Sequence, residues 1–131
     1  MNDELKSSLS EASQGLIYIS ETDAEITPFE GGPAGEVTAA NLLAAVGAAG
    51  DAPVEERGFE EIFARLTRVY EGAGDSQAAT AGRFAALKGL LEQNLRGLKV
   101  FKVGKIQVDV YIVGLDADGN LSGVKTKAVE T

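Results

Sequence analysis

Histidine, cysteine and tryptophan are all absent from this chain of 131 residues. Without histidine there is no ring nitrogen that titrates near neutral pH, so Ser–His–Asp and Cys–His catalysis are both excluded. Without cysteine there are no disulfides and no thiolate nucleophile, and zinc loses its two usual ligand types. Any enzyme built on this sequence would run on carboxylates, lysine, tyrosine or an oxygen-bound metal. Tryptophan and a platform of aromatics are missing too, with only 3 Tyr and 5 Phe, which argues against a sugar cleft. No apolar run approaches the ~20 residues needed to cross a bilayer. The opening MNDELKSSLSEASQ has neither a basic leader nor an unbroken apolar stretch, so no signal peptide is expected. The cytoplasm is the expected compartment.

What is abundant is acid. The net charge is −8, and it is unevenly placed. Through Glu61 there are 13 acids against Lys6 and Arg57, a net of −11, while the remainder carries 7 acids and 10 bases, a net of +3. An acidic half disfavours direct contact with nucleic acid, whose phosphates need Lys and Arg. It favours a basic partner reached by electrostatic steering. A merely solvated acidic surface accounts for the asymmetry about as well.

The spacing predicts a first helix capped by Asn2 or Asp3, carrying Leu5, Leu9, Ala12 and Leu16, and stopped near Gly15. LIYIS follows, then Glu21, Asp23 and Glu25 in quick succession, which reads as a projecting loop after a buried segment. Those three acids suit a hard cation or an acid/base pair in type, but their i, i+2, i+4 spacing fixes no catalytic geometry. A short edge strand is expected over 26–30, with Pro28 marking the edge. GGPAGE reads as a loop, and it lacks the Lys-Ser/Thr of a phosphate-binding loop. Thr38 caps an Ala-rich helix ending at Gly47. Phe59, Ile62, Phe63, Leu66 and Tyr70 form an apolar stripe on the next helix, better explained as core than as a ligand box. Asp75 or Ser76 is expected to cap the longest helix, with Phe84, Leu87, Leu91, Leu95 and Leu98 on one face.

Three strands close the chain: 99–103, 106–115 and 121–129. In the second, Ile106, Val108, Val110 and Ile112 alternate with Tyr111 and Val113, so both faces are partly covered. That predicts helices on both sides of the sheet, an α/β/α sandwich in one domain spanning 1–131. In the last strand Val124, Thr126 and Ala128 share a face opposite Lys125, Lys127 and Val129. Asp116-Ala117-Asp118-Gly119-Asn120 looks at first like a calcium loop, but the glycine comes too early and no twelfth-position Glu follows, so it reads as a hairpin turn. The final strand reaches the last residue, and Thr131 is expected to be held in a fixed place.

DVYIVGLDADGNLSGVKTKAVET (Asp109–Thr131) resembles the C-terminal signature of the nuclease A inhibitor family. LSEASQGLIYISET (Leu9–Thr22), GFEEIFARLT (Gly58–Thr67) and FAALKGLLEQNLRGLKVFKVG (Phe84–Gly104) extend the similarity over nearly the whole chain. The resemblance implies a PR-1-like α/β/α sandwich with a mainly antiparallel sheet and a C-terminal β-hairpin. It implies a non-enzymatic inhibitor whose partner is a magnesium-dependent, sugar-non-specific DNA/RNA nuclease. In such an inhibitor Glu21 and Thr131 would enter the nuclease active site and approach its metal, with Ser20, Thr22, Asp23 and Glu25 completing the partner-binding set. No cofactor, no metal in the free protein, no membrane contact and no dimer are expected. The segment EGAGDSQAAT departs from the family pattern, which carries a Trp there. That departure keeps open a second class of function, a protein-binding module of the same fold with a basic partner that is not a nuclease.

Overall fold

The computed structural model describes residues 1–19, 23–69, 71–72 and 74–129. In chain order the elements are α1 (Asp3–Ser13), β1 (Ile17–Ile19), β2 (Asp23–Glu25), β3 (Thr27–Pro33), α2 (Ala39–Val46), β4 (Val54–Arg57), α3 (Phe59–Leu66), α4 (Asp75–Asn94), β5 (Arg96–Val103), β6 (Gln107–Leu115) and β7 (Asn120–Val129). Five strands form one sheet in the order β3-β7-β6-β5-β4, and every pairing in it is antiparallel. β1 and β2 make a separate two-stranded hairpin.

Alternation along the inner strands puts two apolar clusters on opposite faces of the sheet. On one face Val100, Val108, Val110, Ile112, Val124 and Ala128 meet Leu5 and Leu9 of α1, Phe59, Ile62 and Phe63 of α3, and Phe84, Leu87 and Leu91 of α4. On the other, Phe101, Tyr111, Val113, Leu115 and Leu121 meet Phe29 and the α2 residue Leu42. Among the described residues helices therefore do lie on both faces, but unequally: three on one and the short α2 on the other. The expected edge strand is present as β3, with Pro28 in it.

Local chemistry explains most boundaries. The Asn2 side chain accepts the Leu5 N–H at 2.7 Å and starts α1. Thr38 does the same for Asn41 at 3.1 Å and starts α2, which Gly47 ends in a left-handed turn. α4 departs from expectation, because Gly74 is its cap and Asp75 lies inside the first turn, where its negative charge suits the helix dipole. GGPAGE is not all loop, since β3 runs on to Pro33. The register shifts between Glu30 and Gly32, and a Cβ on Gly31 would lie 3.1 Å from Leu121 and 3.2 Å from Ala45. A side chain at this position would crowd Leu121 and Ala45, so glycine favours the close packing of α2 over the strand.

β4 was not foreseen. Its sequence VEER has no apolar alternation, because it is an edge strand with Glu55, Glu56 and Arg57 exposed, the charges that keep an open edge from pairing with another chain. Leu95 and Leu98 leave the helical face expected for them: α4 ends at Asn94 and β5 begins at Arg96, with a bulge between Arg96 and Lys99. Ile106 precedes β6 and is 60% exposed rather than inward-facing.

The β6–β7 turn is tied by Asp116. Its Oδ1 accepts the N–H groups of Asp118 (2.9 Å) and Asn120 (3.0 Å), and its Oδ2 accepts the Ser122 hydroxyl at 3.2 Å. Gly119 takes the positive φ of +79° that closes the turn. The ammonium of Met1 reaches the same carboxylate at 2.7 Å, with both partners shielded from solvent. Burial pushes the Asp116 carboxyl up, but the Met1 ammonium and the Asn120 and Asp118 N–H groups outweigh it and bring it down to about 2.

A carboxyl depressed on folding stabilises the native state above its unfolded value, and that contribution is lost as pH falls through its folded value. Asp116 is therefore expected to supply roughly 2 kcal/mol at neutral pH that drains away between about pH 4 and pH 2. Urea titrations should show the wild type losing this increment on acidification. Asp116→Asn should be weaker at pH 7 by about 1–3 kcal/mol and should lack that part of the pH dependence.

Candidate partner-binding site

Of the residues that the sequence marks for partner contact, Ser20, Glu21, Thr22 and Thr131 lie outside the described residues. Asp23 and Glu25 stand at the two ends of β2, and Glu25 is exposed. The segment is a hairpin rather than a free loop: Ile17 pairs with Glu25, Tyr18 with Ala24 and Ile19 with Asp23. Its base is closed by the Ile26 N–H donating to the Leu16 carbonyl at 3.2 Å.

Three kinds of fastening position this hairpin: the core, arginines from two helices, and the last strand. Leu16, Tyr18 and Ile26 are buried in the main core. Arg65 of α3 donates to the Tyr18 hydroxyl at 2.6 Å, and its guanidinium lies over the Tyr18 ring, 5.5 Å from the centroid. Arg83 of α4 donates to the carbonyls of Ala12 (3.1 Å) and Gln14 (2.6 Å). It thereby supplies the cation that the end of α1 itself lacks.

The third fastening joins the hairpin to the last strand. Beyond Lys125, which pairs with Thr27, β7 runs past the start of β3. There the buried Thr126 hydroxyl reaches the carbonyls of Glu25 (3.0 Å) and Ala24 (3.4 Å). A buried threonine on an apolar sheet face would be left unsatisfied without such acceptors. This one stitches two segments a hundred residues apart. Periodicity places Thr126 on the buried face but says nothing of what its hydroxyl would meet.

Beside this contact is a groove of about 380 Å³, lined by Glu25, Asp109, Tyr111, Lys125 and Lys127 among others. Tyr111 forms its apolar floor, packed edge-on against Phe29 with ring centroids 5.1 Å apart. Burial raises the Tyr111 phenol above its ordinary value, and the Asp109 carboxylate adds to the effect. Asp116 and Asp118, the residues that suggested a cation loop, sit in a turn whose Asp116 oxygens already accept from internal donors. Among the described residues no group of three or more His, Cys, Asp or Glu is arranged to hold a metal. Among them, too, no helix is long and apolar enough to cross a membrane.

Thr126→Val removes the hydroxyl at nearly constant shape. It should cost about 1–2 kcal/mol of stability, because the Ala24 and Glu25 carbonyls lose their donor. It should also raise amide hydrogen exchange in residues 24–26 more than in β5, with Thr126→Ser restoring protection. Unchanged exchange in the hairpin would show that the hydroxyl does not hold it.

No curated protein matches the chain. The model of the nuclease A inhibitor-like protein family matches residues 3–131, from the first residue of α1 through the end of the chain. The match takes in both the hairpin and the strand that Thr126 joins to it, and the chain belongs to the nuclease A inhibitor-like family.

Proposed function

We propose that the protein inhibits a magnesium-dependent, sugar-non-specific endonuclease by plugging its active site with Glu21 and Thr131. The Thr126 contact with Ala24 and Glu25 carries this reading. Glu21 lies three residues before Ala24, and Thr131 lies five residues after Thr126. The family match and the net charge of −8 agree with it. An acidic protein is steered toward a surface built to attract polyanions.

The chemistry follows from what such a nuclease expects. Its site holds Mg²⁺ and cationic groups that receive a phosphodiester. A carboxylate and a hydroxyl are hard oxygen donors of the kind Mg²⁺ prefers. In this reading they occupy the substrate's place and offer no cleavable bond. In this reading the protein is not an enzyme, needs no cofactor, and leaves the metal to its partner. The PR-1-like sandwich of the wider family and a cytoplasmic location belong to the same proposal.

DNA cleavage by a magnesium-dependent non-specific nuclease should stop near stoichiometric addition of the protein. Glu21→Gln and Thr131→Val should each raise the inhibition constant by about tenfold or more, equivalent to ~1.4 kcal/mol, with circular dichroism unchanged. If no such nuclease is inhibited by excess protein, and affinity capture returns a basic partner of another kind, the chain is a binding module rather than a nuclease inhibitor.

A further inference from the structure

Three of the chain's five arginines line one hollow. It measures about 500 Å³ and lies between α3 and the β4–β5 edge of the sheet. Its charged lining is Arg57 from β4, Glu61 and Arg65 from α3, Arg68 just beyond α3, and Lys102 from β5. Four bases and one acid thus meet there, in a protein whose net charge is −8. The register shows how the strands contribute. Arg57 pairs with Val100, and Glu55 with Lys102. Val100 is buried in the core on the α3 side. Paired residues and alternate residues share a face, so Glu55, Arg57 and Lys102 stand on that side too.

Two carboxylates answer part of this charge. Arg57 Nε pairs with Glu55, and its Nη1 reaches Glu61 at 3.5 Å. Arg65 has the Tyr18 hydroxyl and ring as partners, and among the described residues no carboxylate pairs with it. The hydroxyl engages one end of the guanidinium fork and leaves the other N–H donors. The negative end of α3 accounts for Arg65 as a helix-terminal cation. It does not account for Arg57 and Lys102, which line the same hollow from the sheet. Folding has brought like charges from separate elements together, and their repulsion opposes that arrangement.

We propose that this hollow binds a small phosphorylated anion through its phosphate chain. Guanidinium forks match phosphate oxygens two at a time, and the Lys102 ammonium adds a point charge. Ile62 and Ala64 supply apolar wall, and the volume is that of a small-molecule site. Four bases against one acid exceed what a single phosphoryl group of about −1.5 to −2 charge offsets. A di- or triphosphate is therefore the better match. The proposal is independent of the inhibitor reading, because it uses none of the residues assigned to nuclease contact.

Titration calorimetry of the whole protein with inorganic triphosphate should show saturable one-to-one binding that added salt weakens. Arg57→Gln with Lys102→Gln should weaken it at least about tenfold. Glu61→Gln removes the acid from the lining and should tighten it. Lys125→Gln with Lys127→Gln changes the net charge as much as the first pair, but near Tyr111 on the opposite face of the sheet, and should leave the affinity unchanged. Circular dichroism checks that each variant is folded. Glu61 is exposed, so the gain expected of its variant decides the matter even if the double variant does not fold.

Adenosine triphosphate binding more tightly than inorganic triphosphate would give the anion a nucleoside. Equal affinity would make the phosphate chain itself the ligand. No saturable binding of either probe at millimolar concentration overturns the proposal. Binding that both pairs of exchanges weaken equally, or that Glu61→Gln does not tighten, overturns it as well, since the anion would then sit on the general surface. A short single-stranded DNA that displaces triphosphate and binds more tightly would assign the hollow to nucleic acid and overturn the small-ligand reading.

Discussion

The pairing of β6 with β7 is the constraint on which the rest of the fold hangs. It runs without a break from Gln107–Val129 to Leu115–Leu121. Both strands are buried over most of their length, and each contributes to the cores on both faces of the sheet. β3 and β5 pair on either side of this unit, and β4 pairs only with β5. The turn that closes it carries the buried Asp116, whose carboxylate binds the turn's N–H groups, Ser122 and the Met1 ammonium together. One side chain thus fixes the register of the hairpin and brings the start of α1 to the same place. A buried carboxylate is tolerable only with this many partners, and removing any of them leaves charge or donors uncompensated.

The small β1–β2 hairpin depends on that unit for its position. A two-stranded hairpin of this length has little stability of its own. Here it borrows rigidity from three directions: the core through Leu16, Tyr18 and Ile26, the helices through Arg65 and Arg83, and β7 through Thr126. Two of these anchors are arginines whose apolar stems and planar heads let them bridge a core edge to backbone carbonyls or an aromatic ring. The outcome is a short hairpin held to the core, to the helices and to β7 at once. A blocking segment of the kind proposed above would need such a base, since it must not fold away or be displaced.

Much of this was legible beforehand. Helix starts at Asn2 and Thr38, the stop at Gly47, the α3 stripe from Phe59 to Leu66 (Tyr70 lies outside the described residues) and the two long terminal strands are local features, set by capping chemistry and by periods of 3.6 and 2. Failures came where tertiary context overrode local signal. VEER carries no strand signal because an edge strand needs no apolar alternation. GGPAGE looks like loop, yet its first glycine, Gly31, lies in a strand and serves close packing under α2, while Gly32 and Gly35 take positive φ. Leu95 and Leu98 continue a helical spacing by coincidence, since the helix ends at Asn94, before either of them. In the candidate site, the acidic stretch 21–25 and the lysines of the last strand were visible as charge, and Thr126 as a residue on the buried face. Which of them adjoin was not, because no short-range pattern encodes a contact between residues 25 and 126.

The sequence by itself determined the chemistry open to this protein and the family to which it belongs. Lacking histidine and cysteine, it has no route to the common nucleophilic mechanisms, and its acid is concentrated in the first half. Tertiary structure alone decided the neighbourhood: that Ala24 and Glu25 meet Thr126, that Asp116 meets Met1, and that Arg57, Arg65, Arg68 and Lys102 line one hollow. The reason is one of range. Capping, turn closure and alternation act over a few residues and can be read along the chain. Contacts between distant segments form only when the buried faces of sheet and helices have been brought together, and only then is it settled which polar groups find partners and which stay exposed.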